Sequence, residues 1–256
     1  MEDVTDTVFR QMLIKAEKFD VFFTEFVNVE GLCSGGKEKI LPRFKYSEKE
    51  RPIVAQIWGK NPDNFYQAAK MIKELKFNGL DLNFGCSYRT VLKQNACGAL
   101  IGNHSLVEKI ISAVKVGAKG LPISLKTRLA KTPEETREWL EFLLKQDLAA
   151  LTLHGRTIKE NYATPANWKE IKKAVVLRDQ LKSKTLIIGN GDVKTVKEAW
   201  EKAQEDGVDG VMIGRGLLKI LSQANLVREH VALFEKTWGG SQQICRLKKI
   251  YRELRN

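Results

Sequence analysis

The sequence predicts an α/β fold of the (β/α)8 TIM-barrel type. Three observations lead to this fold class. Short apolar runs recur at spacings of roughly 30 residues, helix-like segments separate most of them, and no early run is followed by G-x-G-x-x-G. Strands and helices that alternate in this way indicate a parallel sheet covered by helices. A doubly wound open sheet is the alternative, but its phosphate loop would follow an early strand.

Seven apolar runs are the predicted strands, and several are rich in β-branched or aromatic residues. They are Val21–Thr24, Ile53–Ile57, Gly79–Asn83, Ile123–Thr127, Leu151–His154, Leu186–Gly189 and Gly210–Ile213. A (β/α)8 barrel has eight strands. We therefore expect the first strand to be missing or truncated ahead of Met1.

Capping residues predict where several of the intervening helices begin. Asn61 followed by Pro62 is typical of an N-cap with proline at the first helical position. Thr132 and Glu135 have the spacing of a capping box. Asn167 is the predicted cap of a third helix.

The C-terminal part predicts a second, smaller unit. We assign residues 1–228 to the barrel and 229–256 to the start of a helical domain that is cut short. Gln243–Arg255 places apolar residues on one helix face and a cluster of Arg and Lys on the rest. From composition alone, a solvated terminal helix explains this segment equally well.

Composition and charge narrow the class of protein. The net charge of +12 favours a polyanionic partner such as RNA or DNA, although a lysine-rich protein can be basic without one. No run of about 18 apolar residues predicts a membrane span, and no secretory signal is visible. The four scattered cysteines form no C-x-x-C pair, so we expect a reducing cytoplasm, no metal site and no disulfide framework. No feature indicates a protein partner.

Polar residues follow nearly every predicted strand. They are Glu25, Gln56, Asn83, Cys86, Lys126, Arg128, His154, Arg156, Asn190, Asp192 and Arg215. In a barrel the active site lies at the carboxyl ends of the strands. A purely structural barrel gives little reason for this convergence, so the pattern predicts an enzyme.

The last two strands are followed by glycine-containing loops. Gly189–Asp192 and Gly214–Gly216 would follow strands seven and eight, the usual phosphate position in this fold. Glycine lets backbone N–H groups approach an anion, and Arg215 adds a forked cationic donor. The pattern predicts a phosphate site, and leaves open whether a flavin or a sugar phosphate supplies the phosphate.

Cys86 is the predicted proton donor. It lies in a glycine-containing polar loop after a strand, and a thiol with a pKa near 8.5 can release a proton close to neutral pH. Cys97 is a weaker rival in the same stretch. His154 ends a strand with no second histidine at metal-ligand spacing, so we interpret it as a hydrogen-bond donor to a ligand.

The sequence resembles the tRNA-dihydrouridine synthase family. The matching stretches occur in the family order and cover about residues 1–218. They are Val4–Arg10, Ala55–Gly59, Gly79–Cys86, Ser124–Arg128, His154–Thr157, Gly189–Asp192 and Gly210–Gly216. Individually several are weak, but the ordered set is specific.

The resemblance implies an FMN-containing barrel followed by a helical domain that helps to hold tRNA. It implies that reduced flavin, regenerated by NADPH, gives a hydride to C6 of uridine and that Cys86 protonates C5. FMN contacts would come from Gln56, Lys126, His154, Asn190, Gly191, Asp192, Gly214 and Arg215. The target uracil would contact Asn83, Lys126 and Arg156. Which tRNA position is reduced does not follow from these motifs.

Two departures from the family pattern fall beside the predicted proton donor. Ser87 stands where the family usually has proline, and Cys97 stands where it usually has glycine. Two other functions stay open. One is an FMN barrel reductase of a small pyrimidine-like molecule, and the other is an RNA-binding relic without catalysis.

Overall fold

The seven predicted strands form one parallel sheet in the order of the sequence. The computed structural model describes residues 1–220 and 224–239. Within these residues the strands are β1 (Phe22–Asn28), β2 (Ile53–Trp58), β3 (Gly79–Phe84), β4 (Ile123–Leu129), β5 (Ala150–Thr157), β6 (Leu186–Asn190) and β7 (Gly210–Met212). The α/β barrel class is confirmed. The expectation of a strand ahead of Met1 stays a prediction.

Helices alternate with the strands along the part of the chain that the structure describes. They are α1 (Thr7–Ala16), α2 (Val29–Leu32), α3 (Lys37–Ile40), α4 (Pro62–Glu74), α5 (Arg89–Leu92), α6 (His104–Gly117), α7 (Pro133–Leu144), α8 (Trp168–Gln180), α9 (Val196–Asp206), α10 (Leu217–Ile220) and α11 (Ala224–Trp238). Short 3-10 turns occupy Leu41–Phe44, Glu48–Glu50 and Cys97–Leu100.

The predicted caps are present. The Asn61 side chain accepts hydrogen bonds from the first turn of α4, and Asn167 caps α8 through the N–H of its third residue. Thr132 Oγ1 accepts from the Glu135 N–H at 3.1 Å. The Glu135 carboxylate accepts from Lys131 N, also at 3.1 Å, so the returning bond falls one residue before the one that a capping box predicts.

Strand alternation separates a core from a polar interior. On β3, Leu80, Leu82 and Phe84 are fully buried in a hydrophobic core shared with the surrounding helices. Asp81 and Asn83 occupy the alternate positions, which point to the opposite face. Polar residues therefore enter the barrel interior without interrupting the packing of the sheet against its helices.

The last described helix packs against the first one. A second core joins Phe9 and Met12 of α1 to Leu218 of α10. Trp238 Nε1 at the end of α11 donates to Asp6 Oδ2 at 2.8 Å. Both ends of the described chain therefore meet beside the barrel.

The predicted second domain is described only in part. Helix α11 spans the predicted boundary between residues 228 and 229, while Gln243–Arg255 lies outside the described residues. The division into two domains stays a prediction. In the described ranges, none of the helices has the length and apolar character that crossing a membrane requires.

Candidate active site at the carboxyl ends of the strands

Sheet register brings the predicted site residues side by side. Asn83 on β3 pairs with Lys126 on β4, and Arg128 pairs with His154 on β5. His154 in turn pairs with Asn190 on β6. Because paired residues of parallel strands project on the same face, these side chains converge in the barrel mouth.

Gln56 and Asn83 belong to a buried hydrogen-bonded chain. Gln56 Nε2 donates to Asp81 Oδ2 at 2.7 Å, and Asn83 Nδ2 donates to Gln56 Oε1 at 2.9 Å. Asp81 Oδ1 also accepts from Ser124 Oγ at 2.6 Å. Burial raises the pKa of Asp81 to about 6, against the lowering effect of the Ser124 and Gln56 hydrogen bonds.

Cys86 differs from Cys97 in both exposure and acidity. Cys86 is partly exposed in the loop after β3, whereas Cys97 is fully buried. A hydrogen bond from the Cys97 thiol, helped by the Tyr88 N–H, lowers the pKa of Cys86 to about 7 despite the opposing effect of burial. Burial raises the pKa of Cys97. Of the two thiols, Cys86 is the better proton donor.

The loop that carries Cys86 is held by hydrogen bonds. Arg128 Nε donates to the Gly85 carbonyl at 2.9 Å, and its Nη1 donates to the Thr157 carbonyl at 3.0 Å. The Gly98 N–H donates to the Cys86 carbonyl at 3.3 Å. The contacts to the Gly85 and Cys86 carbonyls restrain the backbone immediately before Ser87, where the fixed φ of proline is absent.

Lys126 and His154 form an unusual pair of donors. Burial and the nearby Arg128 lower the pKa of Lys126 to about 8, while Asp81 opposes this effect. Burial, together with Lys126 and three arginines, lowers the pKa of His154 to about 2, so this imidazole is neutral. His154 Nδ1 is buried without a hydrogen-bond partner among the described residues. A buried unpaired nitrogen at the mouth fits a bound ligand.

The Asp192 carboxylate forms ion pairs with two arginines. Arg156 Nη2 donates to both Asp192 oxygens, at 2.7 and 2.5 Å, and Arg215 Nη2 approaches Oδ1 at 3.4 Å. Burial would raise the pKa of Asp192, but the Arg156 hydrogen bond and other donors hold it below its usual range. The Arg215 guanidinium also stacks on Tyr162, 3.6 Å from the ring centroid. Asp192, predicted to contact the cofactor, here holds the arginines in place.

The two glycine loops differ in the space beside their glycines, and the loop that carries Arg215 is the open one. Gly191 has a φ of +133°, and a Cβ there would lie 2.6 Å from the Ala166 side chain. A Cβ on Gly214 would meet no atom within 4 Å, so the backbone beside Arg215 is open. Asn190 Nδ2 donates to the Met212 carbonyl at 2.7 Å and joins the ends of β6 and β7, from which the two loops start.

This donor set fits FMN. A flavin presents ring carbonyls and nitrogens that accept hydrogen bonds, and its phosphate is an anion. Lys126 and His154 Nδ1 suit the ring, and Arg215 with the open Gly214 backbone suits the phosphate. Among the described residues there is no group of His, Cys, Asp and Glu side chains arranged to hold a metal ion.

Two residues in the site escaped the sequence-based assignment of roles. Asp81 anchors the Gln56 and Asn83 amides, and Arg128 ties the Cys86 loop to β5. The sequence does contain a pattern that indicates a site role for Asp81. It lies two positions before Asn83 and therefore on the same face of a strand that is otherwise apolar. For Arg128 the contacts are to backbone carbonyls, which no residue pattern reveals.

Comparison with known proteins gives a matching family and several relatives. The family model described as dihydrouridine synthase matches residues 1–252. A Bacillus subtilis (strain 168) protein named probable tRNA-dihydrouridine synthase 2 is 44% identical over 219 residues, which cover 85% of this chain and 67% of that protein. A Staphylococcus aureus (strain MRSA252) probable tRNA-dihydrouridine synthase is 39% identical over 251 residues, covering 92% of this chain and 76% of the relative.

Solved structures support the barrel fold. The crystal structure of DHODH from Eimeria tenella, in complex with ferulenol, has a TM-score of 0.54 at 14% identity, covering 81% of this chain and 66% of that one. A variant of NCR from Zymomonas mobilis also has a TM-score of 0.54 at 14% identity, covering 94% and 89%. At such identity the likeness concerns the fold alone. From the family match and the two relatives we conclude that the chain belongs to the dihydrouridine synthase family, a family of FMN-dependent oxidoreductases.

Proposed function

We propose that this chain reduces the C5–C6 double bond of uridine in tRNA, with Cys86 as the acid that protonates C5. The observation that carries the proposal is the partly exposed Cys86 thiol, whose pKa is lowered to about 7, in a loop beside half-buried Lys126 and buried Asn83. An acid with a pKa near the working pH suits proton donation. The activity itself follows from membership of the family.

FMN would be held by the residues that fit it. Lys126 and His154 would contact the flavin ring, and Gly191, Gly214 and Arg215 would surround the phosphate. Gln56 and Asn190 would contribute from the sheet, and Asp192 would act by fixing Arg215. The chemistry that bound FMN supplies, after reduction by NADPH, is hydride transfer to C6 of the uracil ring.

The remaining groups stabilise and orient the uracil. Negative charge develops on the C4 carbonyl side of the ring as C6 gains the hydride. The Lys126 ammonium, and Arg156 Nη1, which is buried without a partner in the described ranges, would stabilise that charge. Asn83 would donate a hydrogen bond to a ring carbonyl. Cys86 Sγ would then transfer its proton to C5 and remain as a thiolate, which the Cys97 hydrogen bond stabilises.

The partner is tRNA. A uracil inside folded RNA must leave its stack to reach the barrel mouth, at a cost of a few kcal/mol. The net charge of +12 favours binding of the phosphate backbone and offsets part of this cost. A small pyrimidine-like substrate would need neither the base extrusion nor the positive charge.

The test uses the purified chain loaded with FMN, NADPH, and tRNA from a strain that lacks dihydrouridine. We expect the flavin absorbance band and dihydrouridine at defined positions of the tRNA. The Cys86→Ala variant should keep the flavin and lose product, whereas Cys33→Ala, which removes an exposed thiol, should keep both. A protein that cannot be loaded with FMN would indicate the RNA-binding relic. Reduction of free uracil or a related small molecule, with tRNA untouched, would indicate the small-molecule reductase.

A further inference from the structure

Asp81 is a fully buried carboxylate in the barrel interior. It lies on the inward face of β3, and the sheet register places it between Gln56 on β2 and Ser124 on β4. Burying a carboxylate is costly unless it receives hydrogen bonds, and these two neighbours supply them. A residue with this cost in the floor of an active site calls for a function beyond packing.

The hydrogen bonds that start at Asp81 run in one direction only. Gln56 Nε2 donates to Asp81 at 2.7 Å, so Gln56 Oε1 is left to accept from Asn83 Nδ2 at 2.9 Å. Asn83 Oδ1 then accepts from the Gly85 N–H at 3.1 Å. At one end stands a carboxylate, which only accepts, and at the other a backbone N–H, which only donates. Both amide orientations are therefore fixed from both ends.

We propose that Asp81 is a positioning residue that sets this direction, so that Asn83 presents an N–H donor to a carbonyl oxygen of the target uracil. The inference rests on the proposed function. Asn83 Nδ2 has two hydrogens, and Gln56 takes one of them. Within the described part of the chain no residue accepts the other. If the hydrogen bonds ran in the reverse direction, Gln56 Nε2 would donate to Asn83 Oδ1. The Asn83 amino group would then face the Gly85 N–H, and two donors would oppose each other.

The first test is a double-mutant cycle between Asp81 and Asn83. Asp81→Asn keeps the shape but can donate as well as accept, so only the Gly85 N–H still opposes the reversed direction of these hydrogen bonds. We expect kcat/KM for tRNA to fall by about three- to tenfold in Asp81→Asn, the range of one net hydrogen bond. In an Asn83→Ala background the same change should have almost no further effect, because its target is gone. Independent, multiplying losses, or an unchanged Asp81→Asn enzyme, would overturn the proposal.

The second test moves the carboxylate from position 81 to its hydrogen-bond partner at position 56. In the double variant Asp81→Asn with Gln56→Glu, the carboxylate introduced at position 56 accepts from Asn83 Nδ2 and from the amide introduced at position 81. The oxygen of that amide accepts from Ser124. Every hydrogen bond is satisfied and the Asn83 donor is restored. At saturating FMN we expect this pair to recover kcat/KM relative to Asp81→Asn alone. If Asp81→Asn fails to fold, the pair should recover folding and activity together; a pair no better than Asp81→Asn would overturn the proposal.

The outcome for the unaltered chain separates this inference from the proposed function. An unaltered protein that binds FMN and forms no dihydrouridine refutes the proposed function first. An active unaltered protein whose activity is insensitive to Asp81→Asn refutes the positioning role alone.

Discussion

Replacing Cys97 with alanine should make Cys86 a weaker acid. The hydrogen bond from the Cys97 thiol is the largest influence on the pKa of Cys86, and it lowers that pKa to about 7. Removing that donor lets burial, which raises the pKa, act with less opposition. We therefore expect the Cys86 pKa to rise by at least about one pH unit in Cys97→Ala.

The effect of this pKa change on uridine reduction follows from the fraction of Cys86 that is protonated at a given pH. At pH 8 a thiol of pKa about 7 is about one-tenth protonated, whereas one of pKa about 8.5 is about three-quarters protonated. The alkaline limb of single-turnover uridine reduction should accordingly move to higher pH in Cys97→Ala. Below about pH 6, where Cys86 is mostly protonated in both the variant and the unaltered protein, the variant should be slower, because a weaker acid transfers its proton less readily.

A direct assay does not depend on catalysis. The rate of alkylation of Cys86 by iodoacetamide follows its thiolate fraction, and peptide mass spectrometry distinguishes it from the other cysteines. Cys97→Ser, which keeps a hydroxyl donor, is the matched control and should retain a midpoint close to that of the unaltered protein. Identical alkylation midpoints in Cys97→Ala and the unaltered protein would refute the role given to the buried thiol.

Three further predictions concern acid, cofactor and stability. Cys86→Ala should lower dihydrouridine formation by about 10²–10⁴-fold with flavin still bound, measured by nucleoside analysis; full product would assign the proton to another group. Gly191→Ala should weaken FMN binding in a fluorescence titration, because its φ is +133° and its Cβ would meet a side chain at 2.6 Å; Gly207→Ala, at φ +70° in open space, should bind normally, and equal losses would contradict this. Glu50→Gln should lower the free energy of unfolding, measured in urea, by about 3–5 kcal/mol, because the buried Arg10 loses its counter-charge. Glu48→Gln, which removes an exposed partner of Arg51, should change it little, and equal effects of the two variants would refute that reasoning.

Much of the fold could be predicted because apolar runs and caps are local signals. All seven strands lie where the apolar runs indicate, and the Asn61 cap begins α4 as expected. The ends of strands were harder to predict. β4 continues to Leu129 because Lys126 and Arg128 stay paired in the sheet while their side chains enter the polar interior. Where a strand reaches an active site, its last residues are polar although their backbones are still hydrogen-bonded in the sheet.

The placement of the candidate site residues could be predicted, but their hydrogen-bond partners could not. Position at a strand end identified Cys86 and His154, since side chains there must converge. The sequence could not show that Cys97 approaches Cys86, because a lone cysteine at that spacing carries no pairing signal. Nor could it show that Asp192 binds Arg156, since Asp192 lies in the loop after β6 and Arg156 lies on β5. Such contacts depend on rotamers, which only three-dimensional packing fixes.

The contact between α1 and α11 has a consequence for folding. Trp238 bonds to Asp6 across 232 residues of chain, and Lys15 pairs with Glu229 across 214. Contacts so far apart in sequence carry a large loop-closure entropy, whereas each strand finds its neighbour along the chain. The sheet should therefore form first and the contact between α1 and α11 should form last. Amide hydrogens of α1 and α11 should then exchange by local opening, well before those of the central strands.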